Sequence, residues 1–375
     1  MKANKREYVI CILFCGFLAV MSILYFALPQ KDFSETEKRY LADFPKPVWE
    51  DLSSGKFGTD METYMADHIP GRDFFVGLNA YTDLLTGRQI AKDIYVVRNQ
   101  RLVEAPVKEN PAAVEKNMNA INQFAEKAGV PVDLMLVPSA GWAVQRSVIA
   151  PADSYHDEEI IRDIYSHAGN RLSCIDLASH FAGFSDLPDM YYRTDHHWTS
   201  LGAYRAYQYY MAQKGMEYRP QEMYTIETHG GFHGSTYSRS ALWLTPAEEI
   251  EMWHGSDGLI CSNEDKQGQH DGPFYTERLE EADQYTVFLD GNHSLVRIHN
   301  PAAAGKGNLL VIRDSYSNCL GAFLAESYEN VILADLRYYK EPLAQLCETE
   351  HIDSVLVCYS LSNFMTDSNI VWLAQ

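Results

Sequence analysis

The chain has 375 residues, 46% of them hydrophobic and 22% charged, with 51 acidic against 31 basic residues and a formal net charge of −20. This length suffices for one large domain or two smaller ones, and the apolar content excludes a disordered or collagen-like chain. The strong acidity argues against a nucleic-acid partner, because binding to phosphates needs a basic surface.

The first predicted element is a membrane-spanning helix. Residues 8–28 (YVICILFCGFLAVMSILYFAL) carry no charge, and a helix of this length, at about 1.5 Å per residue, matches the roughly 30 Å hydrocarbon core of a bilayer. The basic residues within 1–7 predict that 1–7 form a cytoplasmic tail, that 8–28 form a single-pass anchor in the cell membrane, and that the remainder is extracellular. A cleaved signal peptide is the alternative, but Tyr25, Phe26 and Ala27 make a poor cleavage site.

The chain after residue 7 is acidic, and its cysteines show no spacing typical of disulfide or zinc-binding motifs. Residues 1–7 carry three basic residues and one acidic residue, so the rest of the chain has a net charge of −22. Five of the seven cysteines follow the anchor without any short CxxC spacing, which is typical of neither a disulfide framework nor a zinc site. These five cysteines could form at most two disulfides; they are Cys174, Cys261, Cys319, Cys347 and Cys358.

Residues 29–90 are predicted to form a membrane-proximal segment. The segment starts as a polar stalk, continues through an amphipathic stretch at about 57–65, and reaches a turn at Pro70-Gly71. It carries no motif with an evident chemistry, so we expect it to pack rather than to react.

Residues 91–375 are predicted to form one α/β domain. Apolar runs between Ile94 and Val103 indicate a hairpin, a 3.6-residue period predicts a helix over Pro111–Lys127, and residues 130–139 form an apolar run typical of a buried parallel strand. Three more strand-like runs occur late in the chain, with helix-length segments 319–328 and 341–347 between them: 308–312, 330–334 and 354–359. This alternation predicts a largely parallel sheet.

The stretch from about 216 to 300 interrupts that pattern. It is rich in Gly, His, Trp and acidic residues, with one strand-like run at 285–289 followed by a turn at 290–292. We predict that it is an insertion that covers or borders the main sheet.

The densest polar cluster is TDHHWTS at residues 194–200, directly before a predicted helix that ends at Gly215. In an extended segment Asp195 and His197 would point to one side and His196 to the other, so Asp195 could orient the His197 imidazole as in a Ser-His-Asp triad. Metal ligation and plain capping or packing are the alternatives. A metal site would need further ligands at a recognisable spacing, and none is evident, so neither a metal nor a cofactor is predicted.

The second polar cluster is RDSYSN at residues 313–318, between a predicted strand and an apolar, helix-like run. A serine at such a turn is well placed as a nucleophile, because the unpaired N–H groups of the following helix can hold an oxyanion. The alternative is that Asp314, Ser315 or Ser317 only caps the helix, since these are preferred capping residues.

These motifs together resemble the DHHW family of exported bacterial proteins, which is itself similar to the SGNH-hydrolase-like proteins of alginate O-acetylation. The resembling segments occur in the same order over most of the exported chain: FSETEKRYLADFP at 33–45, YMADHIPGRDFF at 64–75, DHHWTSLGAY at 195–204, VIRDSYSN at 311–318 and ADLRYY at 334–339. The resemblance implies an SGNH-hydrolase-like three-layer α/β sandwich with a mostly parallel sheet, preceded by one N-terminal transmembrane helix.

The resemblance also implies a catalytic triad, with Asp195 and His197 from a DxH motif and Ser315 as the nucleophile. The order Asp, His, Ser differs from that of ordinary SGNH esterases, residues 313–315 read RDS instead of GDS, and no separate glycine or asparagine block is recognisable. Residues near the triad motifs are therefore the candidates for holding an oxyanion or substrate: Tyr316, Arg337, Asn318, Trp198 and His196. For Arg337, an ion pair with Asp335 is the structural alternative.

The implied function is extracytoplasmic transfer of an acyl group, most simply acetyl, to hydroxyls of a cell-surface polysaccharide. A carbohydrate acetylesterase is the first alternative, since water could replace the sugar hydroxyl as acceptor. A non-catalytic protein that binds glycans or acts as a scaffold in envelope biosynthesis is the second. The resemblance further implies a membrane-bound O-acyltransferase as partner, and an anchor would raise the local concentration of the domain near it.

Overall fold

The computed structural model describes residues 5–34, 39–88, 90–91, 93–145 and 155–374. The chain divides into two compact units. The N-terminal unit comprises Met1–Lys92 and Ser238–Leu244, and the sheet unit comprises Asp93–Tyr237 and Thr245–Gln375.

The N-terminal unit opens with α1 (Lys5–Ala27), in which Arg6–Ala27 is long and apolar enough to cross a membrane. The predicted N-terminal apolar helix is therefore confirmed. The remaining elements of this unit are short and mainly helical: β1 (Phe33–Ser34), β2 (Arg39–Tyr40), α2 (Trp49–Ser54), α3 (Lys56–Asp67), α4 (Arg72–Leu85) and β3 (Ile90–Ala91).

A buried carboxylate joins α3 to the chain around β2 in this unit. Asp67, at the end of α3, accepts hydrogen bonds from both terminal nitrogens of Arg39 and from the backbone N–H of Ala42. The bonds from Arg39 lower the pKa of the Asp67 carboxyl to about 2. Gly71, the residue directly before α4, has a positive φ of 71°, as the Pro70-Gly71 turn signal predicts.

The sheet unit alternates strands and helices. Its strands are β4 (Ile94–Val97), β5 (Arg101–Glu104), β6 (Val132–Val137), β7 (Leu172–Ile175), β8 (Thr225–Phe232), β9 (Glu248–His254), β10 (Ile260–Asn263), β11 (His270–Asp271), β12 (Leu295–His299), β13 (Asn308–Arg313), β14 (Asn330–Ala334) and β15 (Ser354–Ser360). Its helices are α5 (Pro111–Lys127), α6 (Ala140–Val144), α7 (Asp157–Ser166), α8 (Leu177–Phe181), α9 (Ser200–Lys214), α11 (Ser317–Leu324), α12 (Leu343–Thr349) and α13 (Leu361–Thr366). Helix α10 (Ser235–Ser240) begins in this unit, and its last three residues belong to the other.

Eight strands form the main sheet, in the order β11-β10-β12-β14-β13-β15-β6-β7. The five strands from β14 to β7 are parallel. Strands β12, β10 and β11 extend the β14 edge of the sheet, and each is antiparallel to its neighbour. Every residue of β6 and β15 is buried, so both faces of the sheet are covered, as in a three-layer α/β sandwich. The predicted fold class is confirmed.

Most regular elements lie where their sequence patterns predict them. The hairpin β4–β5, helix α5 and the strands β6, β13, β14 and β15 all match predicted runs. Helix α9 starts after Thr199, whose Oγ accepts from the Gly202 N–H, and ends at Gly215 with a φ of 65°. All seven cysteines are free thiols.

The stretch from 216 to 300 is where the strand prediction is wrong. Its predicted strand at 285–289 is a 3₁₀-helix, Gln284–Val287, and Leu289 and Asp290 have φ values of 59° and 63° that no strand allows. The apolar side chains there are buried, and Phe288 forms an isolated β-bridge with Phe274. The stretch instead supplies the hairpin β8–β9 and the edge strands β10, β11 and β12, of which β12 pairs with the distant β14.

Candidate active site

The two polar clusters predicted from sequence meet in the sheet unit. The Ser315 hydroxyl and His197 Nε2 are 2.8 Å apart, although the residues are 118 positions apart in the chain, and His197 Nδ1 lies 2.6 Å from Asp195 Oδ1. The Asp195 carboxylate also accepts from the backbone N–H groups of His197 and Ser235. Because this carboxylate is surrounded by donors, Nδ1 of His197 carries the ring proton and Nε2 accepts from Ser315.

The charge on Asp195 is well compensated. Burial by itself would raise the pKa of the Asp195 carboxyl, but the imidazoles of His197 and His196 and the bonds from His197 and Ser235 hold the pKa well below its ordinary value. Burial, reinforced by the neighbouring His197, lowers the pKa of His196. The site therefore combines an ionised Asp195 with a neutral His196 at neutral pH.

Ser315 lies in the turn between β13 and α11, where it is half-buried. The neighbouring Asp314 carboxylate accepts from the Tyr316 backbone N–H, from the backbone N–H and hydroxyl of Ser360, and from the Asn363 amide. Asp314 thus holds the turn through hydrogen bonds, while α11 has no side-chain cap at its N-cap residue, Tyr316. The Ser315 hydroxyl is left to bond His197.

The loop that carries His197 has no regular secondary structure and is held by the hairpin β8–β9 and the residues after it. Glu248, the first residue of β9, accepts from the backbone N–H groups of Arg193 and Thr194 and from the Thr194 hydroxyl. Gly234 lies so close to this loop that a Cβ added there would be 2.2 Å from Asp195 Cβ. The loop is thereby fixed by contacts from residues about 40 to 55 positions further along the chain.

The geometry of His196 differs from the predicted one. Residues 193–197 form bends and not an extended segment, so the His196 ring does not point away. Its centroid lies 3.8 Å from that of His197, and its Nδ1 is 2.5 Å from the Ser235 hydroxyl. The His196 side chain is 27% exposed, so part of it is accessible to solvent.

The other sequence candidates are engaged in structural contacts. Trp198 is fully buried and its indole N–H donates to the Tyr316 carbonyl, so it is a packing residue and not a contact for a polysaccharide. The Tyr316 hydroxyl donates to the His196 carbonyl. Arg337 pairs with Asp335 through Nε and Nη2, which is the structural alternative considered from sequence.

Asn318 belongs to a small polar network beside the turn that carries Ser315. Its Oδ1 accepts from Nη1 of Arg313, whose side chain is fully buried, and its Nδ2 donates to Asn292 Oδ1 at 3.3 Å. Asn292 Oδ1 also accepts from Arg313 at 3.0 Å. In the part of the chain that the structure describes, no backbone acceptor bonds the N–H of Ser315.

Several site residues escape sequence reasoning because they lie in the stretch from 216 to 300. They are Gly234, Ser235, Glu248, Tyr285 and Asn292. The glycine-rich and acidic composition of that stretch is the only sequence signal, and it does not identify which residue meets the triad. Of these residues, Tyr285 contacts His197 directly: the two rings stack with centroids 3.8 Å apart and planes 6° apart.

The Asp195, His196 and His197 group could also hold a metal ion, because one ligand atom from each lies within 4.8 Å of the others. Both His197 nitrogens, however, are already engaged, with Asp195 and with Ser315, and His196 Nδ1 is bonded to Ser235. A metal ion using the His197 ring would have to displace one of its bonds. The donor arrangement fits proton transfer between Ser315 and His197 better than metal ligation.

Comparison with known proteins places these motifs in a family. Residues 135–334, more than half of the chain, match the family described as DHHW protein. A crystal structure of a DHHW family protein from Eubacterium siraeum is 21% identical with a TM-score of 0.66, over 76% of this chain and 95% of the other. Bacillus cereus PatB1 with a sulfonyl adduct is 21% identical with a TM-score of 0.63, over 75% of this chain and 98% of that protein.

The O-acetyltransferase domain of Pseudomonas putida AlgJ is also similar, with 14% identity and a TM-score of 0.46, over 75% of this chain and 97% of that domain. No curated protein sequence matches the chain. The family match includes Asp195, His197 and Ser315. This chain belongs to the DHHW protein family.

Proposed function

We propose that this protein transfers an acyl group, through an ester on Ser315, to a hydroxyl group of a polysaccharide outside the cell membrane. The observation that carries the proposal is the hydrogen-bonded chain from Ser315 through His197 to Asp195, with distances of 2.8 and 2.6 Å. Such a chain supplies a nucleophile, a general base and a group that orients the base.

The first step is acylation of Ser315. His197 Nε2 takes the hydroxyl proton as Ser315 Oγ attacks the carbonyl carbon of the acyl donor, and the Asp195 carboxylate stabilises the imidazolium that forms. The backbone N–H of Ser315, which bonds no backbone acceptor among the described residues, is the proposed hydrogen-bond donor to the developing oxyanion. When the tetrahedral intermediate collapses, the bond to the donor's leaving group breaks and that group takes the proton from His197.

The second step is transfer to the acceptor. A sugar hydroxyl gives its proton to His197 Nε2 as its oxygen attacks the carbonyl carbon of the Ser315 ester. Collapse of this second intermediate breaks the bond between the acyl carbon and Ser315 Oγ, which regains the proton from His197. With water as acceptor the same groups would perform ester hydrolysis, so the acceptor decides between transferase and esterase.

The acyl group and the setting are proposed from the family resemblance and from α1. We infer that the acyl group is acetyl, that α1 is an uncleaved anchor with residues 1–7 in the cytoplasm, and that residues 91–375 form the acyl-transfer domain with 29–90 next to the membrane. A membrane-bound O-acyltransferase is the proposed source of acyl groups. Anchoring favours this partnership because it raises the effective concentration of one protein near the other.

The test is an acyl-transfer assay on the full-length protein in detergent micelles, with a chromogenic acetyl ester as donor and purified cell-surface glycan as acceptor. We expect acetylated glycan with the wild type and a loss of at least about 10³-fold in Ser315→Ala and His197→Ala. The matched control is Ser317→Ala, which removes a fully buried hydroxyl two residues from the nucleophile.

Equal activity of Ser315→Ala and wild type would overturn the proposal. Release of free acetate without acetylated glycan, still dependent on Ser315, would replace transferase by esterase. Activity that disappears with chelator and returns with a divalent metal would favour metal chemistry at the Asp195 cluster instead.

A further inference from the structure

Tyr285 covers one face of the His197 imidazole. The two rings are stacked, with centroids 3.8 Å apart and planes only 6° apart, and Tyr285 is 4% exposed. The rings of His196 and Tyr316 also approach His197, but they are tilted by 37° and 54°. Tyr285 is therefore the ring that is parallel to the imidazole plane.

The contact is made by the ring of Tyr285 and not by its hydroxyl. Among the residues that the structure describes, the buried Tyr285 hydroxyl has no hydrogen-bond partner. The ring itself is braced edge-on by Phe288, at 5.2 Å and 61°, and by Tyr192, at 6.4 Å and 88°. These contacts fix the plane on which the imidazole rests.

We propose that Tyr285 is a positioning residue that holds His197 in place during the second half of the reaction, after Ser315 has been acylated. This inference rests on the proposed function. In the free protein, His197 is fixed at both nitrogens, by Asp195 at Nδ1 and by Ser315 at Nε2. Acylation replaces the hydroxyl proton of Ser315 by the acyl carbon, so Nε2 loses its donor and only the Asp195 bond remains.

A single hydrogen bond at Nδ1 leaves the imidazole free to tilt about that bond. The stacked ring of Tyr285 opposes such tilting, so Nε2 stays directed at the place where the acceptor hydroxyl must arrive. This restraint matters most in the step that consumes the acyl-enzyme, because Ser315 no longer bonds Nε2 there.

The test compares the two steps in full-length protein with a chromogenic acetyl ester, where acylation appears as a burst and acyl-enzyme breakdown as the steady rate. We expect Tyr285→Leu to lower the steady rate about 10-fold while the burst rate changes less than about 2-fold. Tyr285→Phe keeps the ring and should restore the steady rate to within about 2-fold of wild type.

A matched control is available in the same unit. Tyr275 stacks on His270 with centroids 3.8 Å apart and planes 16° apart, without belonging to the triad. Tyr275→Leu removes a comparable stack and should leave the ratio of burst to steady rate unchanged. An equal loss in both phases of Tyr285→Leu, no loss in either, or a Tyr285→Phe variant that behaves like Tyr285→Leu would overturn the inference.

A second measurement covers the case in which Tyr285→Leu does not fold. In wild-type protein, the Cε1 proton of His197, assigned with His197→Gln, should be shifted upfield by the Tyr285 ring and should remain so after Ser315 is sulfonylated by a sulfonyl fluoride. Movement of this signal to the position of an ordinary histidine on sulfonylation would contradict the inference. A wild type with no burst and no dependence on Ser315 would overturn the proposed function itself.

Discussion

The two sides of the candidate site are held in different ways. Ser315 follows the buried strand β13 and precedes α11, so regular secondary structure positions it. His197 lies in an irregular loop, and side chains and backbone from the following hairpin region position it, through Glu248, Gly234 and Ser235. A mutation that displaces Ser315 should therefore also destabilise the fold. A mutation that displaces His197 can lower activity while the sheet remains intact.

The largest expected difference between the two sides is between the effects of replacing Asp195 and Asp314. Asp195→Asn removes the group that fixes the His197 tautomer, and we expect a loss of at least about 10³-fold in kcat/KM for acetyl transfer. Asp314→Asn disturbs a carboxylate that accepts four hydrogen bonds at the nucleophile turn and should destabilise the fold by about 2–3 kcal/mol. Kinetics and chemical denaturation of both variants measure the two effects, and a reversed pattern would break the comparison.

A steric change tests how tightly the base loop is held. Gly234→Ala places a methyl group 2.2 Å from Asp195 Cβ, so the loop must shift, and a displacement of about 1 Å can lower the rate about 10²-fold. Gly230→Ala is the control, because a Cβ there meets nothing within 4 Å. Steady-state kinetics should separate the two variants, and equal activity would show that the loop is not constrained by Gly234.

A milder change loosens the loop without a clash. Glu248→Gln weakens the bonds to Arg193 and Thr194 by removing the negative charge, and we expect activity to fall about 10-fold with a loss of stability of about 1–2 kcal/mol. Glu249→Gln changes the exposed neighbour and serves as the control. Steady-state kinetics and thermal unfolding measure the losses of activity and stability. A larger effect of Glu249→Gln on kcat/KM would show that Glu248 does not hold the loop.

The smallest expected effect is on the pH dependence of stability. The pKa of Asp195 is lowered in the folded protein, so its ionised form stabilises the fold above the unfolded pKa of about 3.9, and this stabilisation declines as pH falls below about 4. Denaturant unfolding of wild type and Asp195→Asn should therefore differ most near neutral pH and converge on acidification. A difference that grows as pH falls would have the wrong sign.

The sequence predicts the place of Ser315 in the fold well, for a physical reason. The apolar run before Arg313 is long enough for a buried strand, and the polar turn followed by a second apolar run is typical of a strand-to-helix junction. The same local patterns predict α5, β6 and α9. Ser315 therefore emerges from properties of neighbouring residues alone.

The base side is predictable only in part. Asp195 and His197 are adjacent enough in sequence to suggest a pair, but the loop bends because Glu248 and Ser235 bind it, and those contacts are tertiary. The run at 285–289 has the composition of a strand, yet Gln284–Val287 forms a 3₁₀-helix in which Tyr285 packs on His197, and Leu289 has a positive φ. Local patterns do not contain these long-range contacts.

The most direct test of the central claim is to trap and locate the acyl-enzyme. The full-length protein is incubated with an activated acetyl ester, quenched in acid, and examined by mass spectrometry of the intact chain and of its peptides. The account predicts one added acetyl group on Ser315, present in wild type and Ser317→Ala and absent in Ser315→Ala. An acetyl group on another residue, or one that survives Ser315→Ala, would contradict it.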